Sequence, residues 1–277
     1  MRKNPAFSHL ILVGLLVTIA LAAATAPSFS AFQSFAPSSA AAPEDSPVVI
    51  ELFTSAGCAS CPPADELVSR IGATATGVIP LAYHVDYWDG LSWSDPFSSG
   101  QWTVRQSVYQ RAMRLSGAYT PQMVINGRWQ CVGSDARAVQ GAIAAARATP
   151  PAGVVTVRAI QPPASSKGLT VDIGARIVHS VGGAPLIVLL AVYENGLVAK
   201  IDGGENRGHR LTYDYTVRKI VPAFQLNGAS GPTLENAIKV ELDPSWNLTH
   251  LGVAAFIQDE ETLAIYGAAA QYPIAPN

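Results

Sequence analysis

The chain is poor in charge and in cysteine. Of its 277 residues only 14% are Asp, Glu, Lys or Arg, and it has three cysteines and five histidines. A formal net charge of −2 leaves no basic excess of the kind that nucleic acid or an anionic membrane surface attracts. Three cysteines are too few, and the wrong parity, for the disulfide framework of a small exported domain. A structural zinc site takes four ligands, usually from two separated pairs, and only one close pair, Cys58 and Cys61, is present. There is no twin arginine, and past the N-terminus no apolar run is long enough to span a membrane.

What is present is apolar: 49% of residues are hydrophobic, enough for ordinary cores and unlike a disordered chain. Part of that excess sits at the N-terminus. Arg2 and Lys3 precede an apolar stretch from Leu10 to Ala24, and Ala22-Ala23-Ala24 or Ala24-Thr25-Ala26 offers a small-x-small cleavage pattern. This order predicts a signal peptide over residues 1–26 and export to a periplasmic or secreted location; an uncleaved anchor is the alternative. The apolar stretch is shorter than the roughly 20 residues of a spanning helix. Cleavage would remove Arg2 and Lys3 and leave a net charge of about −4. The Ala-, Ser- and Pro-rich residues 27–47 read as a linker.

From Val48 the pattern becomes regular. Val48 to Phe53 predicts a buried strand, followed by a turn at Thr54-Ser55-Ala56-Gly57. Cys58-Ala59-Ser60-Cys61 then runs into Pro62 and Pro63, which suit the first turn of a helix, with Asp65 and Glu66 favouring its N-terminus and Leu67, Val68 and Ile71 giving an apolar face. Strands are predicted at Val78–Val85, Gln122–Ile125 and Arg128–Val132, and a helix at Ser98–Leu115. Asn126-Gly127 is a hairpin turn, and a last helix carries Val139, Ala142, Ile143 and Ala146 behind Ser134 as N-cap. The order is β-α-β-α-β-β-α over residues 48–150.

Cysteines at the start of a helix have their thiolates stabilised by unpaired N–H groups and the helix dipole. Cys58, nearer the turn, is expected to be exposed and to attack; Cys61, one turn on, is expected to be shielded and to resolve the mixed disulfide. Three other readings stand beside this: an inert disulfide, copper(I) held by Cys58, Cys61 and His84, and a non-catalytic scaffold. His84 and Asp86, two apart near the end of a strand, share a face and form a candidate pair for proton transfer to the cysteines. The competing expectation is a structural cluster of these two with Trp88, Asp89, Trp93 and Arg105. Cys131, on a predicted edge strand, reads as a small buried hydrophobe. No cofactor is called for.

Three stretches together carry a family resemblance: Glu51-Leu52-Phe53-Thr54-Ser55 running into Cys58-Ala59-Ser60-Cys61-Pro62-Pro63-Ala64-Asp65, then His84-Val85-Asp86-Tyr87-Trp88-Asp89, then Thr120-Pro121-Gln122-Met123-Val124. They resemble an exported bacterial family named only as a domain of unknown function, number 1223, and more broadly the thioredoxin superfamily. The resemblance runs from about Val48 to the end of the chain. It implies a thioredoxin-like fold for residues 48–150, and a cis bond before Pro121 beside Cys58, with the Thr120 backbone offered to a substrate strand.

Residues 152–277 alternate apolar and polar positions at Val155–Ala159, Val171–Ile177 and Ile238–Leu242. Further strands are predicted at Leu186–Glu194, Leu211–Val221, His250–Gln258 and Leu263–Gln271. Seven short strands predict an immunoglobulin-like sandwich without its disulfide, and no catalytic motif is visible in it. The fold expected is thus an α/β thioredoxin-like domain followed by an all-β, immunoglobulin-like sandwich. The function expected is thiol–disulfide exchange at Cys58, Cys61 and Pro121, supported by Thr120, His84 and Asp86, with protein or small-molecule thiols as partners.

Overall fold

The computed structural model describes residues 46–90, 93–160, 168–182 and 185–274. The expected signal peptide and all but the last two residues of the expected linker lie outside them. No helix among the described residues is long and apolar enough to cross a membrane.

The first half follows its apolar pattern closely. Strand β1 (Val48–Thr54) is buried at every position. Helix α1 (Pro62–Thr74) starts with prolines in its first two positions and buries Ala64, Asp65, Leu67, Val68 and Ile71. Then come β2 (Val78–His84), α2 (Gly100–Ala112), β3 (Gln122–Ile125), β4 (Trp129–Val132) and α3 (Ala136–Arg147). Ser99 caps α2 by accepting from the Gln101 amide. Asp135, not Ser134, caps α3, its carboxylate accepting from the Arg137 and Ala138 amides.

The second half is β throughout: β5 (Gly153–Ile160), β6 (Gly168–Ile177), β7 (Leu186–Glu194), β8 (Leu197–Lys200), β9 (Arg210–Tyr213), β10 (Thr216–Leu226), β11 (Leu234–Glu241), β12 (Leu251–Asp259) and β13 (Ile265–Gln271). The strand expected over Leu211–Val221 is broken in two, because Tyr215 takes a positive φ of 55° between β9 and β10.

The strand order corrects the expected fold class. Eight strands form one mixed sheet, ordered β13-β12-β7-β10-β2-β1-β3-β4, which runs from one half of the chain into the other. An α/β thioredoxin-like domain followed by its own immunoglobulin-like sandwich is therefore not what the chain builds. The free edge of β2 is taken by β10 in parallel, with Thr216 registered on Ala82 and the Ala82 amide donating to Tyr215 O at 2.8 Å. Apolar alternation marks which residues are strand and which face is buried, but not which edge a distant strand will join.

Three large cores follow from this sheet. Val48, Ile50, Leu52 and Met123 pack under α1 and α3 on one face of the first half. On the other face Phe53, Leu81 and Tyr83 pack with Trp102 and Tyr109 of α2 and with Tyr193, Ala254, Phe256 and Ile265 of the second half. The far end of the sheet, with Val188, Leu190, Val253 and Ala255, packs on a three-stranded sheet ordered β11-β6-β5. Two sheets do stack here, but one of them is the continuation of the first-half sheet, so no separate immunoglobulin-like sandwich forms. A buried polar network also ties the halves: Arg105 donates to Glu51 at 2.7 Å, Tyr109 donates to Glu51, and Gln258 of β12 donates to the Tyr109 hydroxyl at 2.8 Å.

Candidate functional site

The site grows from the junction of β1 and α1. The chain leaves β1 at Thr54 and turns so that the Cys58 amide donates to Ser55 O and the Cys61 amide to Cys58 O, each at 3.2 Å. Cys61 is the N-cap of α1, and its carbonyl takes the Ala64 and Asp65 amides at 2.8 and 3.1 Å. This tight turn sets the Cys58 and Cys61 Cα atoms 5.5 Å apart, and their sulfurs are joined as a disulfide. Both cysteines are 0% exposed, which corrects the expectation that Cys58 stands open. Only Ala59 and Ser60, at the tip of the turn, reach solvent.

The cover comes from the other half of the chain. Strands β8 and β9 form a hairpin whose tip, Ile201–His209, lies over the turn. Asn206, itself buried, donates from its side chain to Ala56 O at 2.9 Å and to Cys58 O at 2.8 Å. The Glu205 amide donates to Gly57 O at 3.1 Å, and the Glu205 carboxylate accepts from the Ala59 amide at 2.9 Å. Gly204, at φ +70°, lets the two backbones meet: a Cβ there would stand 3.0 Å from Gly57 Cα. Beneath the tip Ile201, Ala199 and Tyr213 pack on Ala56.

Thr120 and Pro121 close a third side. The bond between them is cis, as the resemblance implies. The Thr120 hydroxyl donates to Cys58 Sγ at 3.4 Å and receives the Trp88 indole N–H at 2.7 Å. Ser60 Oγ stands 3.4 Å from the same sulfur. Cys58 Sγ is thus the sulfur that two hydroxyls face.

His84 and Asp86, expected as a pair, are not brought together. His84 ends β2 fully buried, and its Nδ1 lies 2.7 Å from Asp95 Oδ2. Asp86 follows the strand and turns to α2, where it accepts from the Thr103 hydroxyl at 2.5 Å. Arg105 is engaged elsewhere, with Glu51, whereas Asp89 does join this loop by accepting from Ser98 Oγ and the Asp95 amide. Asp95 also accepts from the Ala56 amide at 2.7 Å and the Phe97 amide at 2.9 Å. Burial works against the Asp95 anion, but the charge and hydrogen bond of His84 and the two amides outweigh it, and the carboxyl lies below its ordinary range. Burial likewise works against the His84 cation, and Asp95 outweighs it, so the imidazole titrates above its ordinary value.

Asp65, four residues past Cys61 and so on the same face of α1, completes the buried group. Burial pushes its carboxyl from an ordinary 3.8 up to about 7, against the pull of His84 and of the hydrogen bond from Thr54. Asp65 Oδ1, His84 Nε2 and Tyr213 Oη have no hydrogen-bond partner among the described residues. Burial, with the charges of Asp65 and Asp95 adding to it, pushes the Tyr213 phenol well above its ordinary range. Among the described residues no group of three or more His, Cys, Asp or Glu that could hold a metal ion is found. Cys131, on β4 opposite Met123, is half-buried and stays a free thiol.

The family described as "Protein of unknown function (DUF1223)" matches residues 49–258. The chain belongs to the DUF1223 family. Among solved structures it is similar to protein AGR_C_4864 of Agrobacterium tumefaciens, with 28% identity and a TM-score of 0.61 over 82% of this chain and 94% of that one. It also shares its fold with HBP35 of Porphyromonas gingivalis, with 15% identity and a TM-score of 0.59 over 84% of this chain and 77% of that one. No curated protein matches it.

Several residues of the DUF1223 site were not singled out by the sequence. Asp95 and Glu205 carry no local signal, since each meets the turn only through the fold. Asp65 does carry one: it falls on the buried face of α1 with Cys61, Val68 and Ile71, where an acid is out of place.

Proposed function

We propose that this DUF1223 protein is a thiol–disulfide oxidoreductase that works through Cys58 and Cys61, exported to a periplasmic or secreted location, with protein or small-molecule thiols as partners. The observation that carries the reading is the treatment of Cys58 Sγ. It accepts from the Thr120 hydroxyl, which Trp88 holds in place, and faces Ser60 Oγ as well. Donors aimed at a sulfur favour its thiolate, the form that leaves and attacks in exchange. The reading carries with it a kinship to the thioredoxin superfamily in this chemistry.

In the reductive direction a substrate thiolate attacks Cys58 Sγ. A mixed disulfide forms, and the Cys58–Cys61 bond breaks with Cys61 leaving as a thiolate that takes up a proton. A second substrate thiolate then attacks the substrate sulfur of the mixed disulfide. Cys58 leaves as its thiolate, held by Thr120 and Ser60, and the substrate departs oxidised. In the oxidative direction the steps reverse and Cys61 resolves the adduct. We assign the exchange of that proton to Asp65, one helical turn past Cys61, whose carboxyl burial pushes up to about 7.

The complete burial of both cysteines favours a second reading, in which the disulfide is structural and the chain binds a partner without redox chemistry. Trapping separates the two. Cys61→Ser, expressed in an exporting host, is expected to accumulate reductant-sensitive adducts through Cys58, seen on non-reducing gels, and Cys58→Ser to accumulate almost none. Adducts from neither variant, with a wild-type disulfide that resists glutathione, would establish the structural reading.

A further inference from the structure

The hairpin tip over Cys58 does more than cover it. Amides at the start of α1 are scarce, because Pro62 and Pro63 contribute no N–H and the Ala64 and Asp65 amides are spent on Cys61 O. The amide that directly follows Cys58, that of Ala59, is occupied by the Glu205 carboxylate at 2.9 Å. Asn206 fixes this arrangement with its two hydrogen bonds to Ala56 O and Cys58 O, and the Glu205 amide adds a third to Gly57 O. A full negative charge is therefore held one residue from the sulfur that becomes a thiolate on reduction.

Resting on the redox reading above, we propose that Glu205 is a positioning residue that sets the poise of the Cys58–Cys61 couple, its carboxylate favouring the disulfide over the reduced pair. Reduction by two monothiols adds two electrons and two protons across the pair, and the product that matters electrostatically is the Cys58 thiolate. Beside Glu205 that thiolate meets a like charge and loses the Ala59 N–H as a donor, so its formation is penalised. The disulfide carries no charge and is indifferent to the carboxylate. Among the described residues no cation pairs with Glu205, and Asp202 of the same tip faces Lys200 at 3.5 Å. On the buried side stand Asp65, His84 and Asp95.

The test is the equilibrium of the full chain with reduced and oxidised glutathione at fixed pH, read by thiol labelling. Glu205→Gln keeps an acceptor for the Ala59 amide and removes the charge; it is expected to shift the equilibrium about threefold toward the dithiol, or about 14 mV. Glu205→Lys is expected to shift it about tenfold, or about 30 mV. Glu205→Asp is expected to stay within about twofold of wild type. Glu205 is exposed, so these variants are expected to keep the wild-type melting temperature. Salt gives a second reading that needs no folded variant: in about 1 M salt, where screening acts over roughly 3 Å, the wild type is expected to move toward the Gln value. An equilibrium that is the same for Glu, Gln and Lys, and unmoved by salt in the wild type, would overturn the role of Glu205 while leaving the redox reading standing. A wild-type disulfide that does not exchange with glutathione would overturn both.

Discussion

Asp65 is held in a condition that works against the folded chain at neutral pH. Its folded pKa is about 7 against an ordinary 3.8, so between those values the native state binds the proton more tightly than the unfolded state does. Stability from this group is therefore greatest in acid and is lost as pH rises from about 4 to about 7. Asp65→Asn removes the titration and keeps an oxygen for the Thr54 hydroxyl. It is expected to stabilise the protein by roughly 1–3 kcal/mol at pH 8 and by little at pH 4, measured by thermal unfolding across that range. A protein that keeps such a residue gives up stability at a position one helical turn past Cys61. Cys131 is the contrasting case. Burial, with Asp135 adding to it, pushes its thiol up to about 11, the direction of an unreactive cysteine. Cys131→Ser is expected to leave the rate of glutathione exchange at Cys58–Cys61 within about twofold of wild type, followed by thiol labelling over time.

At the level of single elements, the hairpin of β3 and β4 shows how a local signal and a distant constraint coincide. Asn126 and Gly127 take positive φ of 44° and 64°, the turn that Asn-Gly predicts. A Cβ on Gly127 would overlap the carbonyl of Leu263, and the Ile265 amide donates to Asn126 O at 3.0 Å. Gly127→Ala is accordingly expected to cost roughly 2–4 kcal/mol in urea unfolding, more than the turn conformation alone accounts for. Elements were legible in the sequence because their causes are local. The strands β1, β3 and β7 are short apolar runs, and the Pro62-Pro63 pair and the Asn-Gly turn act within a few residues. The hairpin of β8 and β9 was missed because Leu197–Lys200 is short and ends in the glycine-containing tip. Sheet order was not legible, since nothing near Ala82 or Thr216 announces their pairing across 134 positions. The site divides the same way: the disulfide, Thr120 and Pro121 lie in motifs, whereas Asp95, Glu205 and Asn206 arrive through packing.

At the level of the whole molecule, the two halves meet through a narrow ladder and a broad core. Strands β2 and β10 share a single registered pair, while Phe53, Tyr83, Tyr193 and Phe256 belong to one buried cluster. Shared burial of that kind makes unfolding of one half expose the other. Loss of near-ultraviolet signal, dominated by the first-half tryptophans, and loss of far-ultraviolet β signal are expected to follow one coincident transition in denaturant. Two separated midpoints would show the halves to be independent. The cover over the disulfide has a further consequence in time. The contacts of Glu205 and Asn206 with the cysteine turn span 146 to 150 positions. Chains grow from the N-terminus, and contacts so far apart close late. Cys58 and Cys61 therefore stay open to passing oxidants and thiols until the hairpin tip has been made and docked, and their first oxidation falls in that interval, before the cover slows exchange.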